Sequence, residues 1–211
     1  TTGLSTLPVV ENMPKTFLFS RAWMQWYGGL GIVVLSLAIV LDPGLIAKRL
    51  DINVAACDDY AGGTKAIAQR VLLTYLTLTF LGVIFLLLSG VDLFNAVLYI
   101  FASVSTGGFS PHNDSLSGLG MGISPAIIVI IVCLISAVPF TFFRSLLVQR
   151  KFFTRNTLQL QFLVLGAFVT AMLLLFFQKI DGKAFDLQMF YHNFMFAISA
   201  QSTAGFSTVS T

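Results

Sequence analysis

Residues 93–110 read LFNAVLYIFASVSTGGFS, an uncharged segment that ends in a threonine, two glycines, a phenylalanine and a serine. The apolar part, Leu93 to Val104, has 12 residues and would be about 18 Å long as a helix. It is too short to cross a hydrocarbon core, which is about 30 Å thick and needs roughly 20 helical residues. We therefore expect a re-entrant segment that enters a membrane partway and returns through the glycine-containing strand.

The pattern at the end of this segment, Thr, any residue, Gly, a bulky apolar residue and Ser, is present in three copies, at residues 1–5, 106–110 and 203–207. Their glycines, Gly3, Gly108 and Gly205, lie 105 and 97 residues apart. A second half-length apolar segment, from Leu187 to Ala200, precedes the third copy. A helix end with a glycine cap would explain one copy, but repetition at similar spacing favours a repeated structural unit.

Residue types in this pattern suit a filter for a monovalent cation. Backbone carbonyl oxygens can replace the hydration shell of an ion, and glycine adopts the dihedral angles that an irregular strand needs. Non-helical backbone is tolerated at membrane depth only where it lines a cavity or is buried in protein, and helix C-termini carry partial negative charge that favours cations. The expected cation-binding residues are Thr1, Thr2, Gly3, Thr106, Gly107, Gly108, Thr203, Ala204 and Gly205.

Four further residues are expected to support this filter. Leu4, Phe109 and Phe206 follow the glycines and are expected to wedge each strand against the surrounding helices. Arg21 stands at the outer end of an apolar segment, where it either supports the filter or anchors the helix at the membrane interface.

Composition indicates a polytopic membrane protein. Hydrophobic residues make up 56% of the chain and charged residues 10%, against about 25% charged residues in soluble domains. Uncharged segments of the length that a membrane-crossing helix needs cover residues 22–41, 71–91, about 121–143 and 156–178. Within the first of these, Gly28, Gly29 and Gly31 predict close packing against another helix. The net charge of +3 and the lack of basic clusters argue against nucleic acid as a partner.

The expected fold class is an all-α polytopic membrane protein. Units of helix, re-entrant pore helix, filter and helix repeat around a pseudo-fourfold pore, which this chain leaves incomplete. Residues 1–65 hold the end of a first unit, residues 66–150 a complete second unit, and residues 151–211 the first part of a third. The loops at 42–70 and 144–155 hold eight lysines and arginines, against four on the opposite side. The positive-inside rule places these loops in the cytoplasm and the filter openings outside.

These residues bear on three candidate functions. A potassium-conducting protein is the leading interpretation. The alternative is a sodium-permeable or sodium-coupled transporter of the same architecture, because a filter with one glycine per strand discriminates less strictly by geometry. A membrane sensor or enzyme would need clustered acidic residues or histidines, and residues 22–41, 71–91 and 156–178 contain none. No catalytic motif stands out, so we expect neither enzymatic activity nor a covalently bound cofactor.

Residues 21–32, RAWMQWYGGLGI, follow Met13-Pro14-Lys15 and closely resemble the helix after the first filter of bacterial Trk-type potassium uptake proteins, in the Trk/Ktr/HKT superfamily. Residues 93–110 and 194–207 resemble the second and third pore helices of that family with their filters. The resemblance covers nearly the whole chain, from filter 1 to filter 3. The helix before the first filter and the fourth unit of the family have no counterpart here, so we expect part of a longer protein.

This resemblance implies potassium uptake across the cytoplasmic (inner) membrane of a bacterium by a multi-pass protein surrounded by lipid. Potassium ion is then the substrate, and uptake is either passive or coupled as symport. The resemblance further implies a homodimer and a cytosolic nucleotide-binding regulatory subunit, so that any nucleotide acts only through that partner.

Overall fold

The structure is a computed structural model that describes residues 9–40, 58–117, 123–138, 155–180 and 186–207. These residues form helices and connecting turns, with no β-strand among them, which confirms the expected all-α fold class. The first copy of the repeated pattern, with Thr1, Thr2, Gly3 and Leu4, lies outside the described residues, as does most of the two basic loops.

The described residues contain six helices. They are α1 at Lys15–Val40, α2 at Asp58–Leu88, α3 at Leu93–Val104, α4 at Ile123–Ser136, α5 at Arg155–Ile180 and α6 at Leu187–Gln201. The short helices α3 and α6 match the two half-length segments of the sequence, α6 being longer by one residue. Helix α2 begins within the segment that was expected to be a cytoplasmic loop, where Asp58 and Asp59 suit the positive end of a helix.

Two of the described segments are long and apolar enough to cross a membrane, Val71–Leu88 in α2 and Gln161–Ile180 in α5. Only 17% and 11% of their residues are buried. A core helix of a water-soluble domain would be mostly buried, whereas these helices expose large side chains such as Phe80, Phe162 and Phe176. Such surfaces suit contact with lipid or with further helices of the same protein.

Aspartate residues cap the start of both short helices. The Asp92 carboxylate accepts a hydrogen bond from Phe94 N at 3.0 Å, and the Asp186 carboxylate accepts one from Gln188 N at 3.2 Å. An N-cap aspartate satisfies a free N–H group, and its charge suits the positive end of the helix. The opposite, negative end of each helix then leads into the repeated pattern.

Helix α3 lies at the centre of the described fold, in contact with α1, α2 and α4, while α6 packs against α5 and α4. Each of these two short helices contacts both the long helix before it and the helix that follows the preceding copy of the pattern. Tyr99 and Ile100 of α3 are fully buried, as are Val129 and Cys133 of α4. Cys133 is thus a free thiol in the core, as its apolar sequence context predicts.

Glycines allow helices to approach α3 closely. A β-carbon on Gly29 would lie 2.9 Å from Ser105 Cβ, and one on Gly82 would lie 2.9 Å from Ile100 Cδ1. A β-carbon on Gly28 or Gly31 would meet nothing within 4 Å. Among the described residues, the predicted close packing of α1 is therefore found at Gly29 but not at Gly28 and Gly31, which are three residues apart and share a different face of the helix.

Candidate functional site

The second copy of the pattern follows α3 directly, and the sign of the backbone φ angle alternates along it. Thr106 has a φ of 50° and Gly108 a φ of 75°, while Gly107 between them is not in the positive region. Thr106 N donates to the Ser103 carbonyl oxygen at 3.0 Å, and Gly107 N donates to the Ala102 carbonyl oxygen at 2.8 Å. Because the N–H and C=O groups of a trans peptide point in opposite directions, the Thr106 carbonyl points away from the end of α3.

The third copy has a similar geometry after α6. Thr203 has a φ of 60° and Gly205 a φ of 77°. The N–H groups of Ala204 and Gly205 both donate to the Ser199 carbonyl oxygen, at 3.0 and 3.2 Å. The carbonyl groups of Thr203 and Ala204 therefore point away from α6. Successive N–H groups that converge on one acceptor leave carbonyl oxygens on the other side of the strand, and carbonyl oxygens are the groups that line cation filters.

The second and third copies of the pattern, Thr106–Ser110 and Thr203–Ser207, are short non-helical strands that meet at Gly108 and Ala204. A β-carbon on Gly108 would overlap the Ala204 carbonyl oxygen and would lie 3.7 Å from the Gly205 carbonyl carbon. A β-carbon on Gly205 would meet nothing within 4 Å, although its φ of 77° is unfavourable for other L-residues. The structure thus brings together Gly108 and Gly205, which the sequence places 97 residues apart.

Helix α1 contributes a glutamine to the second copy. Gln25 Nε2 donates to the Gly107 carbonyl oxygen at 2.7 Å, and Gln25 Oε1 accepts from Phe109 N at 3.2 Å. Only 4% of this residue is exposed. One amide therefore bonds the peptide groups on both sides of Gly108. It holds the Gly107 carbonyl toward α1 and leaves the Gly108 carbonyl pointing away from it.

Arg21 lies one turn before Gln25, on the same face of α1. Its guanidinium lies over the Phe109 ring, 4.2 Å from the centroid, and 7% of the residue is exposed. A cation over an aromatic ring is held more strongly when water is excluded. Two residues that were expected to support the filter, Arg21 and Phe109, are therefore in contact with each other.

Tyr99 of α3 connects the second and third copies. The ring of the fully buried Phe206 lies 6.2 Å from the Tyr99 ring. The Tyr99 hydroxyl donates to the Ser115 carbonyl oxygen at 2.6 Å and lies 3.0 Å from Ser110 Oγ. Ser115 Oγ in turn accepts from Ser207 N at 3.0 Å. The serines that end both copies are thus linked through Tyr99 and Ser115.

Six of the nine expected cation-binding residues therefore lie in two neighbouring strands, and the other three are outside the described residues. Gly107 differs from the rest because Gln25 occupies its carbonyl oxygen. Gln25 and Tyr99 were not predicted as site residues. The sequence did contain a signal for each of them: Gln25 stands four positions after Arg21, on the same face of a helix, and Tyr99 places a hydroxyl group within an apolar half-length segment. Within the described ranges, no cluster of His, Cys, Asp and Glu could hold a metal ion.

Proteins named as cation transporters are similar to this chain in sequence. The chain is 32% identical to the Trk system potassium uptake protein TrkH of Escherichia coli over 221 residues, covering 99% of this chain and 44% of that protein. It is 34% identical over 129 residues to an uncharacterised cation transporter of Methanocaldococcus jannaschii, covering 58% of this chain and 27% of that protein. The chain therefore spans less than half the length of these curated relatives.

Structural similarity agrees with the sequence matches. The crystal structure of the potassium transporter TrkH from Vibrio parahaemolyticus aligns with a TM-score of 0.75 at 26% identity, covering 98% of this chain and 42% of that one. The family match extends over residues 1–211. The chain belongs to the TrkH family of cation transport proteins.

Proposed function

We propose that this chain forms part of a potassium uptake pore in which backbone carbonyl oxygens replace the hydration shell of the ion. One observation carries the proposal: the carbonyl groups of Thr106, Thr203 and Ala204 point away from the helix ends, in two strands that meet at Gly108. Relatives named as potassium uptake proteins support potassium as the ion. The names of these relatives favour potassium over the sodium-permeable or sodium-coupled alternative.

The charges around the strands suit a cation. Helices α3 and α6 direct their C-terminal ends at the strands, and such an end carries about −0.5 elementary charge. Neither Thr106–Ser110 nor Thr203–Ser207 contains a lysine or arginine. The positive charge of Arg21 acts in the opposite sense, but its guanidinium lies outside both strands, over the Phe109 ring. An anion would therefore be disfavoured between these strands.

The proposed pore is a ring of similar units, divided in this chain at residues 1–65, 66–150 and 151–211. The contacts of α1 with α3 and of α4 with α6 support this division, since each joins the helix after one copy to the short helix before the next. In this arrangement Thr1, Thr2 and Gly3 add the carbonyl oxygens of a first filter strand, and Leu4 wedges it. A fourth unit in the full-length protein would close the ring.

The proposed setting is the inner membrane of a bacterium, where the full-length protein forms a homodimer and binds a cytosolic nucleotide-binding regulatory subunit. The name of the E. coli relative, which places it in a Trk system, supports a protein that works with other components. The eight basic residues at 42–70 and 144–155 support a cytoplasmic location for those loops, which would offer a docking face. Uptake by symport is part of the same proposal.

Ion flux into liposomes that contain the full-length protein tests this function. We expect uptake of radioactive rubidium that excess potassium competes away and excess sodium barely affects. Liposomes without protein give the background. Equal competition by sodium and potassium would favour the sodium-permeable alternative, and uptake at background level would contradict a transport function.

A further inference from the structure

We propose that Gln25 withdraws the Gly107 carbonyl oxygen from the ion path. At the position that Gly107 and Ala204 share, the second filter strand then offers the ion one carbonyl oxygen fewer than the third. The proposal rests on the proposed function and adds a determinant of ion selectivity to it. Gln25 acts as a positioning residue, through the peptide groups on both sides of Gly108, and does not itself contact the ion.

The hydrogen bonds of the two copies differ at one peptide group. Gly107 and Ala204 are equivalent positions, as are Ala102 and Ser199, each pair 97 residues apart. In the third copy, Ala204 N and the following Gly205 N both donate to the Ser199 carbonyl oxygen. In the second copy, Gly107 N donates to the Ala102 carbonyl oxygen, but Gly108 N does not. The Gly107–Gly108 peptide is instead turned toward α1.

Gln25 accounts for this difference. Its amide nitrogen lies 2.7 Å from the Gly107 carbonyl oxygen, and its amide oxygen accepts from Phe109 N. The Ala204 carbonyl, in contrast, is directed at the backbone of the neighbouring strand at Gly108. The Gly107 carbonyl oxygen is thus directed toward α1, whereas the equivalent Ala204 carbonyl oxygen is directed toward the neighbouring strand.

The residue types at the two positions agree with this assignment. A β-carbon on Gly107 would lie 2.5 Å from Gln25 Cδ, so any larger residue there would force the glutamine amide out of its present position. The third copy carries Ala204 at the equivalent position, where the alanine is buried with 2% exposed. The second copy therefore has glycine where Gln25 needs room.

The consequence concerns the discrimination between potassium and sodium. The number of carbonyl dipoles around an ion is one of the factors that set this discrimination. Without Gln25, the Gly107–Gly108 peptide can take the orientation of the third copy, with Gly108 N donating to Ala102. The Gly107 oxygen would then face the ion and favour the larger, more highly coordinated potassium.

A Gln25→Met variant of the full-length protein in liposomes tests this role, because methionine has similar length but cannot donate a hydrogen bond to the Gly107 carbonyl oxygen and is only a weak acceptor for Phe109 N. We expect the potassium-to-sodium permeability ratio to rise about 3- to 10-fold, the range that one hydrogen bond spans. Gln178→Met is the matched control. It removes a hydrogen bond of 2.8 Å in which the Asn193 side-chain amide of α6 donates to Gln178 Oε1, and it does not touch a filter strand. We expect an unchanged permeability ratio.

Gly107→Ala provides a second test that does not alter Gln25, because the added β-carbon displaces the glutamine by steric overlap. It also makes the second copy identical to the third, Thr-Ala-Gly-Phe-Ser. We expect the ratio to rise as in Gln25→Met, and the double variant to show no further increase. If the wild type transports potassium and either variant that assembles shows an unchanged or lower ratio, the role of Gln25 is wrong and the proposed function stands. If the wild type transports no potassium, the proposed function itself is wrong.

Discussion

Individual backbone dihedrals distinguish the repeated pattern from an ordinary helix end. Thr106 and Thr203 have φ values of 50° and 60°, which β-branched residues rarely adopt. Such strain persists only where the surroundings hold it, and it concentrates at ligand sites. Here the threonine N–H groups donate to the carbonyl oxygens of Ser103 and Ala200 at 3.0 Å each. The strained threonines therefore support the proposal that these strands bind an ion.

The two filter glycines are expected to differ in their tolerance of alanine. Both Gly108→Ala and Gly205→Ala incur the cost of a left-handed L-residue, about 1–2 kcal/mol. At Gly108 the methyl group also overlaps the Ala204 carbonyl oxygen, whereas at Gly205 it meets nothing within 4 Å. We expect rubidium uptake of Gly108→Ala to fall to background and that of Gly205→Ala to stay measurable. Equal uptake by the two variants would contradict the contact between the strands.

Close contact between helices depends on single glycines. Gly29 of α1 meets the backbone of Ser105 at the end of α3, since its β-carbon would lie 3.1 Å from Ser105 Cα. The hydroxyl of Tyr75 in α2 donates to the Trp26 carbonyl oxygen at 2.9 Å beside it. Three helices therefore converge where α3 ends and the second filter strand begins.

Alanine at two glycines of α1 is expected to have opposite effects on stability. Gly29→Ala pushes α1 away from α3, and overpacking of this kind costs about 1–3 kcal/mol. Gly31→Ala adds a methyl group with nothing within 4 Å and replaces a poor helix former. Thermal unfolding of the purified full-length protein in detergent should show a lower Tm for Gly29→Ala and an equal or higher Tm for Gly31→Ala. A Gly29→Ala variant as stable as Gly31→Ala would contradict this packing.

At the scale of the whole molecule, both described strands, Thr106–Ser110 and Thr203–Ser207, are held by residues from an earlier part of the chain. Gln25 and Arg21 of α1 hold the second copy, and Tyr99 of α3 packs on Phe206 of the third. The segment before α1 also reaches forward, since Val10 N donates to Asn113 Oδ1 at 2.7 Å. Both strands therefore depend on neighbouring parts of the chain for their geometry.

The orientation of the molecule can be tested by cysteine labelling in intact bacteria. Asp114 is exposed in the turn after the second filter strand, and Gln149 stands among the basic residues of the second loop. In a background without other accessible cysteines, we expect a membrane-impermeant maleimide to label Asp114→Cys in intact cells. It should label Gln149→Cys only after permeabilisation. The reverse pattern would contradict the orientation derived from the basic residues.

Much of the fold and part of the site could be predicted from local features of the sequence. The bounds of α3 and α6 follow from the lengths of their apolar segments and from Asp92 and Asp186 at their starts. The filter strands follow from the Thr-x-Gly pattern, because the dihedrals that glycine permits are a property of the residue itself. These features act over a few residues, so the order of the chain is enough to reveal them.

By itself, the sequence thus determined the membrane class, the two short helices and the positions of the glycine-containing strands that follow them. Only the tertiary structure decided that Gln25 takes the carbonyl of Gly107, 82 residues away, that Gly108 faces Ala204, and that Gly29 rather than Gly28 or Gly31 is the contact point. The physical reason is that the direction of a peptide group depends on the partners it finds in space. Those partners come from other helices, whose rotation and approach are set by packing over the whole fold.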